Sequence, residues 1–187
     1  MSGIHREVLL LYQPQVAIYD FGVRTKMDPD YKNASLWVRP VIAMDPEADV
    51  RTWNVVGSLY DPSGNKVGGD MKISAAEIYH EKYPQRDNVH YPLMEQRVEN
   101  PLLWTAETPH LYTLVLSLYD SEGALVEARS TKVGFREVKI SGQQFLVNGV
   151  PVKLYGVNRH DHSEYGGKSV TRQEMEADIR LMKQFNF

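Results

Sequence analysis

Between residues 6 and 135 the chain is a series of short apolar runs separated by turn-forming residues, and one run occurs twice. Residues 58–64 (Ser-Leu-Tyr-Asp-x-x-Gly) recur as residues 117–123, and each copy ends its apolar run with the Asp and Gly that favour tight turns. Several short strands with turns at roughly 8–12-residue spacing are typical of an antiparallel β-sandwich. We interpret the repeat as shared hairpin chemistry rather than as a duplication.

Five runs in the first half of the chain are predicted to be strands. They are residues 17–23, 35–43, 53–60, 66–67 and 71–78. Pro40 has no backbone N–H to donate, which indicates an edge strand or a bulge in the second run. The segment 79–92 is polar and aromatic and ends at a proline, and it is predicted to be a long loop.

The segment 108–114 (Thr-Pro-His-Leu-Tyr-Thr-Leu) places Tyr112 at the start of a late strand, after a corner marked by Pro109. This pattern predicts the tyrosine corner of immunoglobulin-like sandwiches, in which the hydroxyl group bonds to backbone upstream. The alternative is a partly buried strand tyrosine without that bond.

Composition excludes several classes of function. The chain of 187 residues has no cysteine, so it has no disulfide and no cysteine-based metal site. A net charge of −3 with scattered Lys and Arg gives no reason to expect nucleic acid or an anionic membrane as a partner. No apolar stretch approaches about 18 residues. The compartment stays open between cytoplasm and periplasm.

After residue 135 the pattern of the sequence changes. Residues 138–140 and 145–147 are predicted strands, and Asn148-Gly149 is a strong hairpin signal. Residues 152–157 form a more continuously apolar run, which is typical of a strand in a buried parallel sheet.

This run ends in residues 156–162 (Gly-Val-Asn-Arg-His-Asp-His), and a loop and a helix follow. A strand that ends in polar residues and leads into a helix is the start of a β/α unit. In β/α barrels, catalytic residues lie at that end of the strands. The motif therefore predicts the first unit of a catalytic barrel, of which the chain carries only the beginning.

The segment 171–187 is predicted to be a helix. Thr171-x-x-Glu174 is a capping box, in which each side chain bonds a backbone N–H at the start of the helix. Met175, Ile179, Met182 and Phe185 recur at helical spacing and form one apolar stripe. We interpret this stripe as a packing surface rather than as a cofactor-binding face.

Taken in order, these and other stretches resemble glycoside hydrolase family 2, in particular its large bacterial β-galactosidases. The similar stretches are residues 2–8, 99–104, 108–112, 133–138, 148–151, 156–162 and 181–187. The resemblance implies a mainly β chain: an immunoglobulin-like β-sandwich followed by an incomplete first β/α unit of a TIM barrel. It implies the end of a sugar-binding domain in residues 1–12, the sandwich in 13–136 and the truncated barrel in 137–187.

The resemblance further implies a retaining hydrolase for terminal β-linked galactose. Such enzymes use two carboxyl groups about 5–5.5 Å apart, one as nucleophile and one as acid/base. Both are expected beyond Phe187, so no catalytic residue is assigned and the chain alone is expected to be inactive. The resemblance implies no cofactor in this segment, and magnesium only in the longer protein. It does not separate β-galactosidase from β-glucuronidase or β-mannosidase.

By resemblance, His160 lines the galactose subsite, and Asn158 is the second predicted substrate-binding residue. A neutral imidazole donates from one nitrogen and accepts at the other, which suits a sugar hydroxyl. We predict that Arg159, Asp161 and His162 support this pair through ion pairs or hydrogen bonds. His160 and His162 could also bind a metal as an i, i+2 pair, but the sequence offers no evident third ligand.

Two other hypotheses remain open. A carbohydrate-binding module would present Trp37, Trp53 and Trp104 in a row on one sheet face, although tryptophans in a sandwich are more often packed. A structural spacer would bind no ligand of its own. The expected partners are a β-galactoside and the other domains of the longer protein. Because an isolated barrel strand lacks neighbours, residues 150–187 are expected to fold back on the sandwich or to pair with a second copy.

Overall fold

The structure of the chain, a computed structural model, describes residues 4, 8–80 and 93–187. It is mainly β, as predicted, with 47% strand and 11% helix. It contains two compact units, Gln13–Pro151 and Met1–Tyr12 with Val152–Phe187. The division predicted at residues 12/13 and 136/137 stays a prediction. In the described part of the chain, no helix has the length and apolarity needed to cross a membrane.

Two antiparallel sheets form the sandwich of the larger unit. Among the described residues the strands and helices are β1 Val16–Met27, β2 Asn33–Met44, β3 Asn54–Tyr60, β4 Lys66–Ser74, α1 Ala75–His80, β5 Met94–Glu99, β6 Tyr112–Tyr119, β7 Leu125–Val133, β8 Val138–Ser141, β9 Gln144–Val147, β10 Val150–Pro151 and α2 Arg172–Gln184. One sheet has the order β1-β2-β5 and the other β4-β3-β6-β7. All neighbouring strands are antiparallel, which gives the predicted immunoglobulin-like sandwich.

The core lies between these sheets because alternate residues of their central strands are apolar. In β6 the buried positions are Tyr112, Leu114, Leu116 and Leu118, and the residues between them are half-buried. Strand β2 alternates in the same way. Its Pro40 pairs with Phe21 of β1, and among the described residues β5 pairs with β2 only as far as Val38. The edge or bulge expected at Pro40 stays a prediction.

The repeated sequence forms two hairpins with one turn chemistry. The carboxylate of Asp61 accepts hydrogen bonds from the N–H groups of Ser63 and Asn65, and that of Asp120 accepts from Glu122 and Ala124. The glycine of each copy has a positive φ, 88° and 81°. Strands β3 and β6, which carry the two copies, pair with each other in the centre of the sheet.

The strand predicted over residues 71–78 is wrong in its second half. Strand β4 ends at Ser74, and α1 follows directly and takes in the first two residues of the predicted 79–92 loop. The N–H of Ala76 donates to the Ser74 hydroxyl, and the Glu77 carboxylate accepts from the Ser74 N–H. Ser74 thus caps the helix, and the sequence Ser-Ala-Ala-Glu is that of a capping box, a signal that apolar content alone misses. Residues 81–92 lie outside the described residues.

A small sheet of order β10-β9-β8 follows the sandwich in the same unit. Its Asn148-Gly149 turn has positive φ at both residues, 50° and 77°, as the sequence predicts for a two-residue hairpin. The Asn148 amide donates to the carbonyl of Trp104 at 3.0 Å and accepts from the N–H of Glu137 at 2.9 Å. The Tyr31 hydroxyl donates to the Glu137 carboxylate. These bonds fasten the hairpin to the sandwich.

The strand predicted over residues 152–157 is not formed. Strand β10 has only two residues, and residues 152–162 belong to no helix or strand. Leu154 and Tyr155 are exposed. A continuously apolar strand is stable only between parallel neighbours that bury both faces, and no parallel strand pairs with this segment in the described chain.

Helix α2 begins as predicted. The Thr171 hydroxyl accepts from the Glu174 N–H, and the Glu174 carboxylate accepts from the Thr171 N–H, which completes the capping box. No residue of α2 is buried, and Ile179 and Phe185 of the apolar stripe are exposed. The expectation that residues 150–187 fold back on the sandwich or pair with a second copy stays a prediction.

Candidate functional site

The polar motif after residue 156 lies beside α2 and forms a shallow pocket of about 300 Å³. Asn158, Arg159 and His160 line it from the motif, and Asp178 and Met182 line it from the helix. The structure thus brings together both residues predicted to contact a sugar and the arginine predicted to support them. His162 and Asp161 are not part of the lining.

Arg159 is the centre of an ion-pair network in this pocket. Its Nε donates to Oδ2 of Asp178 at 2.9 Å, and its Nη2 lies 2.7 Å from the same oxygen. Its Nη1 donates to Oδ1 of Asp161 at 2.5 Å. The Asp161 carboxylate, followed by that of Asp178, raises the pKa of Arg159 above its usual value. Arg159 is therefore a permanent cation between two carboxylates.

Asn158 and His160 flank this arginine and are exposed. Their polar groups are accessible, so an amide and an imidazole can reach a hydroxyl-rich ligand in the pocket. Asp161 reaches the site through Arg159, whereas His162 is exposed outside it. His160 thus lines the pocket, whereas His162 lies outside it.

The loop that follows the motif closes in a turn at Ser163, whose side chain is buried. The Ser163 hydroxyl accepts from the N–H groups of Tyr165 and Gly166 and donates to the Glu174 carboxylate. This bond, followed by those from Thr171, lowers the pKa of Glu174 below its usual value. Sequence reasoning found Glu174 only as a helix cap and missed Ser163 and Asp178. Glu174 and Asp178 are four residues apart and therefore lie on one face of the helix. This spacing was the signal in the sequence that could have predicted their contacts with the motif.

The expectation that this segment holds no cofactor stays a prediction. Within the described ranges, no group of three or more His, Asp or Glu side chains could hold a metal ion. No chemical step is therefore assigned to a metal in this chain, and magnesium in the longer protein stays a prediction.

The three tryptophans do not form one binding face. Trp37 lies on the outer face of β2 beneath Arg24 and Lys26, whose charged groups are each 6.0 Å from its ring. Trp53 precedes β3 and packs against the core. Trp104 lies under the guanidinium of Arg136, at 4.3 Å. All three are half-buried, and the row that a carbohydrate-binding sandwich requires is not formed.

Comparison with known proteins agrees with the resemblance. The family described as glycosyl hydrolases family 2 matches residues 16–136, and the TIM barrel domain of that family matches residues 138–187. A β-galactosidase from Pectobacterium atrosepticum is 37% identical over all 187 residues, and the chain spans 18% of its length.

Two solved structures share the fold. A β-glucuronidase from Parabacteroides merdae superimposes with a TM-score of 0.72 at 23% identity, over 92% of this chain and 20% of that protein. A β-glucuronidase from Lactobacillus rhamnosus gives 0.69 at 24% identity, over 91% of this chain and 24% of that protein. The two matched domains cover nearly the whole chain in the order predicted from its motifs. This chain is a member of glycosyl hydrolases family 2.

Proposed function

We propose that this chain is the immunoglobulin-like domain and the beginning of the catalytic barrel of a retaining β-galactosidase. The observation that carries the proposal is the 37% identity to a β-galactosidase along every part of the chain. Because the chain spans 18% of that relative, the reaction itself belongs to a longer protein. The sandwich serves as a structural connection, and the segment after residue 156 supplies one loop of the active site.

In this proposal, Asn158 and His160 bind hydroxyl groups of the terminal galactose. The pocket suits this role because a neutral imidazole and an amide each offer a donor and an acceptor, which match a hydroxyl group. A sugar contact that strengthens as the ring distorts lowers the barrier, whereas one of constant strength only improves binding. Arg159, Asp161 and His162 support these two side chains.

The two carboxyl groups that cleave the glycosidic bond lie outside this chain in the proposal. Retaining chemistry needs one carboxylate to attack the anomeric carbon and one acid to protonate the leaving oxygen, at a separation of about 5–5.5 Å. The 187-residue chain alone therefore binds galactose weakly and does not hydrolyse galactosides.

β-Glucuronidase is the second candidate, because both solved relatives described above are β-glucuronidases. Because these proteins are only 23% and 24% identical to this chain, the similarity shows a shared fold and does not indicate a shared substrate. A glucuronide also carries a carboxylate, and the cation nearest the pocket, Arg159, is already paired with two acids. Galactose, which is neutral, fits this arrangement better. β-Mannosidase remains the third specificity within the family.

The proposal is tested by comparing two proteins, the 187-residue chain and the product of the complete gene that contains it. Nitrophenyl β-galactoside, β-glucuronide and β-mannoside are supplied in parallel. We expect the complete protein to hydrolyse the galactoside at least tenfold faster than the other two, and the chain to hydrolyse none. Preference for another glycoside would replace the assigned specificity, and galactoside hydrolysis by the purified chain would refute the location of the carboxylates.

A further inference from the structure

We infer that Asp178 is a positioning residue that holds the segment 157–160 against helix α2, an inference that rests on the proposed function of that segment. Asp178 lies on the helix and was not part of the polar motif. It belongs to the lining of the same pocket as Asn158 and His160.

Residues 152–162 belong to no helix or strand, so no ladder of backbone hydrogen bonds fixes their position. A segment of this kind is held in place by its side chains. Arg159 lies in its second half, directly between Asn158 and His160, and its side chain is only 24% exposed.

The two carboxylate partners of Arg159 lie in different parts of the chain. Asp161 is two residues away, so its bond to Nη1 lies within the segment itself. Asp178 is 19 residues away on α2, and both Nε and Nη2 of Arg159 face its Oδ2. The link to Asp178 therefore fixes the motif to the helix through one hydrogen bond from Nε, and Nη2 adds an ionic contact with the same oxygen.

A second link lies one helical turn earlier. The buried Ser163 hydroxyl donates to the carboxylate of Glu174, and positions 174 and 178 lie on the same face of a helix. The two acids thus hold both ends of the segment 159–163. Since Asn158 and His160 adjoin the first of these links, their directions depend on Asp178. Glu176 lies on the other side of α2 and pairs with Arg172 at 2.8 Å, which makes it a matched control.

The first measurement uses the 187-residue chain and NMR. Asp178→Asn keeps the shape of the side chain and removes its charge. We expect the Arg159 Nε–H to exchange with water about tenfold faster in this variant, which corresponds to the loss of one charge-assisted hydrogen bond. The ring signals of His160 shift at the same time. Asp178→Glu restores part of the protection, and Glu176→Gln leaves both readouts as in the wild type.

The second measurement uses the complete enzyme. We expect Asp178→Asn to lower kcat on the order of tenfold with KM within about twofold, because a misdirected His160 loses a contact that matters in the transition state. Glu176→Gln keeps the wild-type rate. A variant that only destabilised the fold would lower the amount of active enzyme without moving the His160 signals.

The two proposals fail in different ways. If the complete protein hydrolyses no galactoside, the proposed function fails, and the NMR comparison still tests the position of the motif. If Asp178→Asn leaves the Arg159 and His160 signals unchanged while the signals of the sandwich show a folded chain, the positioning role of Asp178 is wrong. The same readouts in Glu174→Gln test the second link.

Discussion

The phenolic oxygen of Tyr112 lies 2.9 Å from the backbone nitrogen of Leu102, ten residues upstream, and accepts its hydrogen bond. The Tyr112 ring is buried and meets the Phe135 ring edge-on, with centroids 4.8 Å apart. This is the tyrosine corner predicted from the sequence, and it ties the segment after β5 to the start of β6.

Tyr112→Phe removes the acceptor and leaves the Leu102 N–H unsatisfied in a partly buried place. We expect the free energy of unfolding to fall by about 1–2 kcal/mol, measured by urea denaturation. Tyr119→Phe, at the other end of the same strand, is the control and should change it by less than about 0.5 kcal/mol. Equal effects of the two substitutions would show that the corner bond does not stabilise the sandwich.

Position 149 requires glycine because its φ is positive and because Tyr31 leaves no room for a Cβ atom. Substitutions at Gly149 and Gly142 separate these two effects. The φ of Gly149 is +77°, and a Cβ atom there would lie 2.8 Å from Cε2 of Tyr31. Gly142 in the neighbouring turn has φ +58° and open space around the same position. We expect Gly142→Ala to cost about 1 kcal/mol of stability from backbone strain, and Gly149→Ala at least about 1 kcal/mol more from the steric contact. Similar losses in thermal unfolding would mean that Tyr31 moves aside freely.

The Glu137 carboxylate provides a test that depends on pH. The Tyr31 hydroxyl, followed by Lys139, lowers the pKa of Glu137 below its usual value. Because the pKa is lower in the folded state, the associated stability is present above about pH 4.5 and is lost as the pH falls through the folded-state pKa. Tyr31→Phe removes the first cause, so the pKa of Glu137 should rise, measured from its carboxyl ¹³C shift against pH.

Lys139→Met is the companion variant, since it removes the second cause and should raise the same pKa by less. The stability difference between wild type and Tyr31→Phe should also shrink as the pH falls through the folded-state pKa of Glu137, because the carboxyl group then becomes protonated in both proteins. An unchanged titration in Tyr31→Phe would contradict the assigned role of the hydroxyl group.

The sandwich could be predicted because its signals are local. Alternation in β2 and β6, the aspartate-glycine turns and the Asn148-Gly149 hairpin each specify their own geometry within a few residues. Helix α1 was missed because Ala75 and Ile78 are as apolar as strand residues, and only the Ser74 capping box distinguishes the two structures.

The strand predicted over residues 152–157 was wrong because its formation depends on residues distant in sequence rather than on local signals. Its apolar pattern is that of a barrel strand, but a parallel strand depends on neighbours far away in sequence, and the described chain provides none. The candidate site shows the same limit. The motif Asn158–His160 was visible as a cluster of polar residues, whereas the contact between Arg159 and Asp178 spans 19 residues and depends on where the loop returns.

Under the proposed function, His160 is the residue of this chain with the largest expected effect on catalysis. In the complete enzyme we expect His160→Ala to lower kcat/KM for a β-galactoside on the order of 100-fold, because the proposed contact of its imidazole with a sugar hydroxyl would strengthen in the transition state. His162→Ala removes the same side chain two residues later, outside the pocket, and should cost less than about tenfold. Steady-state kinetics of both variants, with unfolding midpoints to check that each is folded, make the comparison. A larger loss in His162→Ala would reverse the assignment, since the histidine that binds the sugar would then be the one outside the pocket formed with α2.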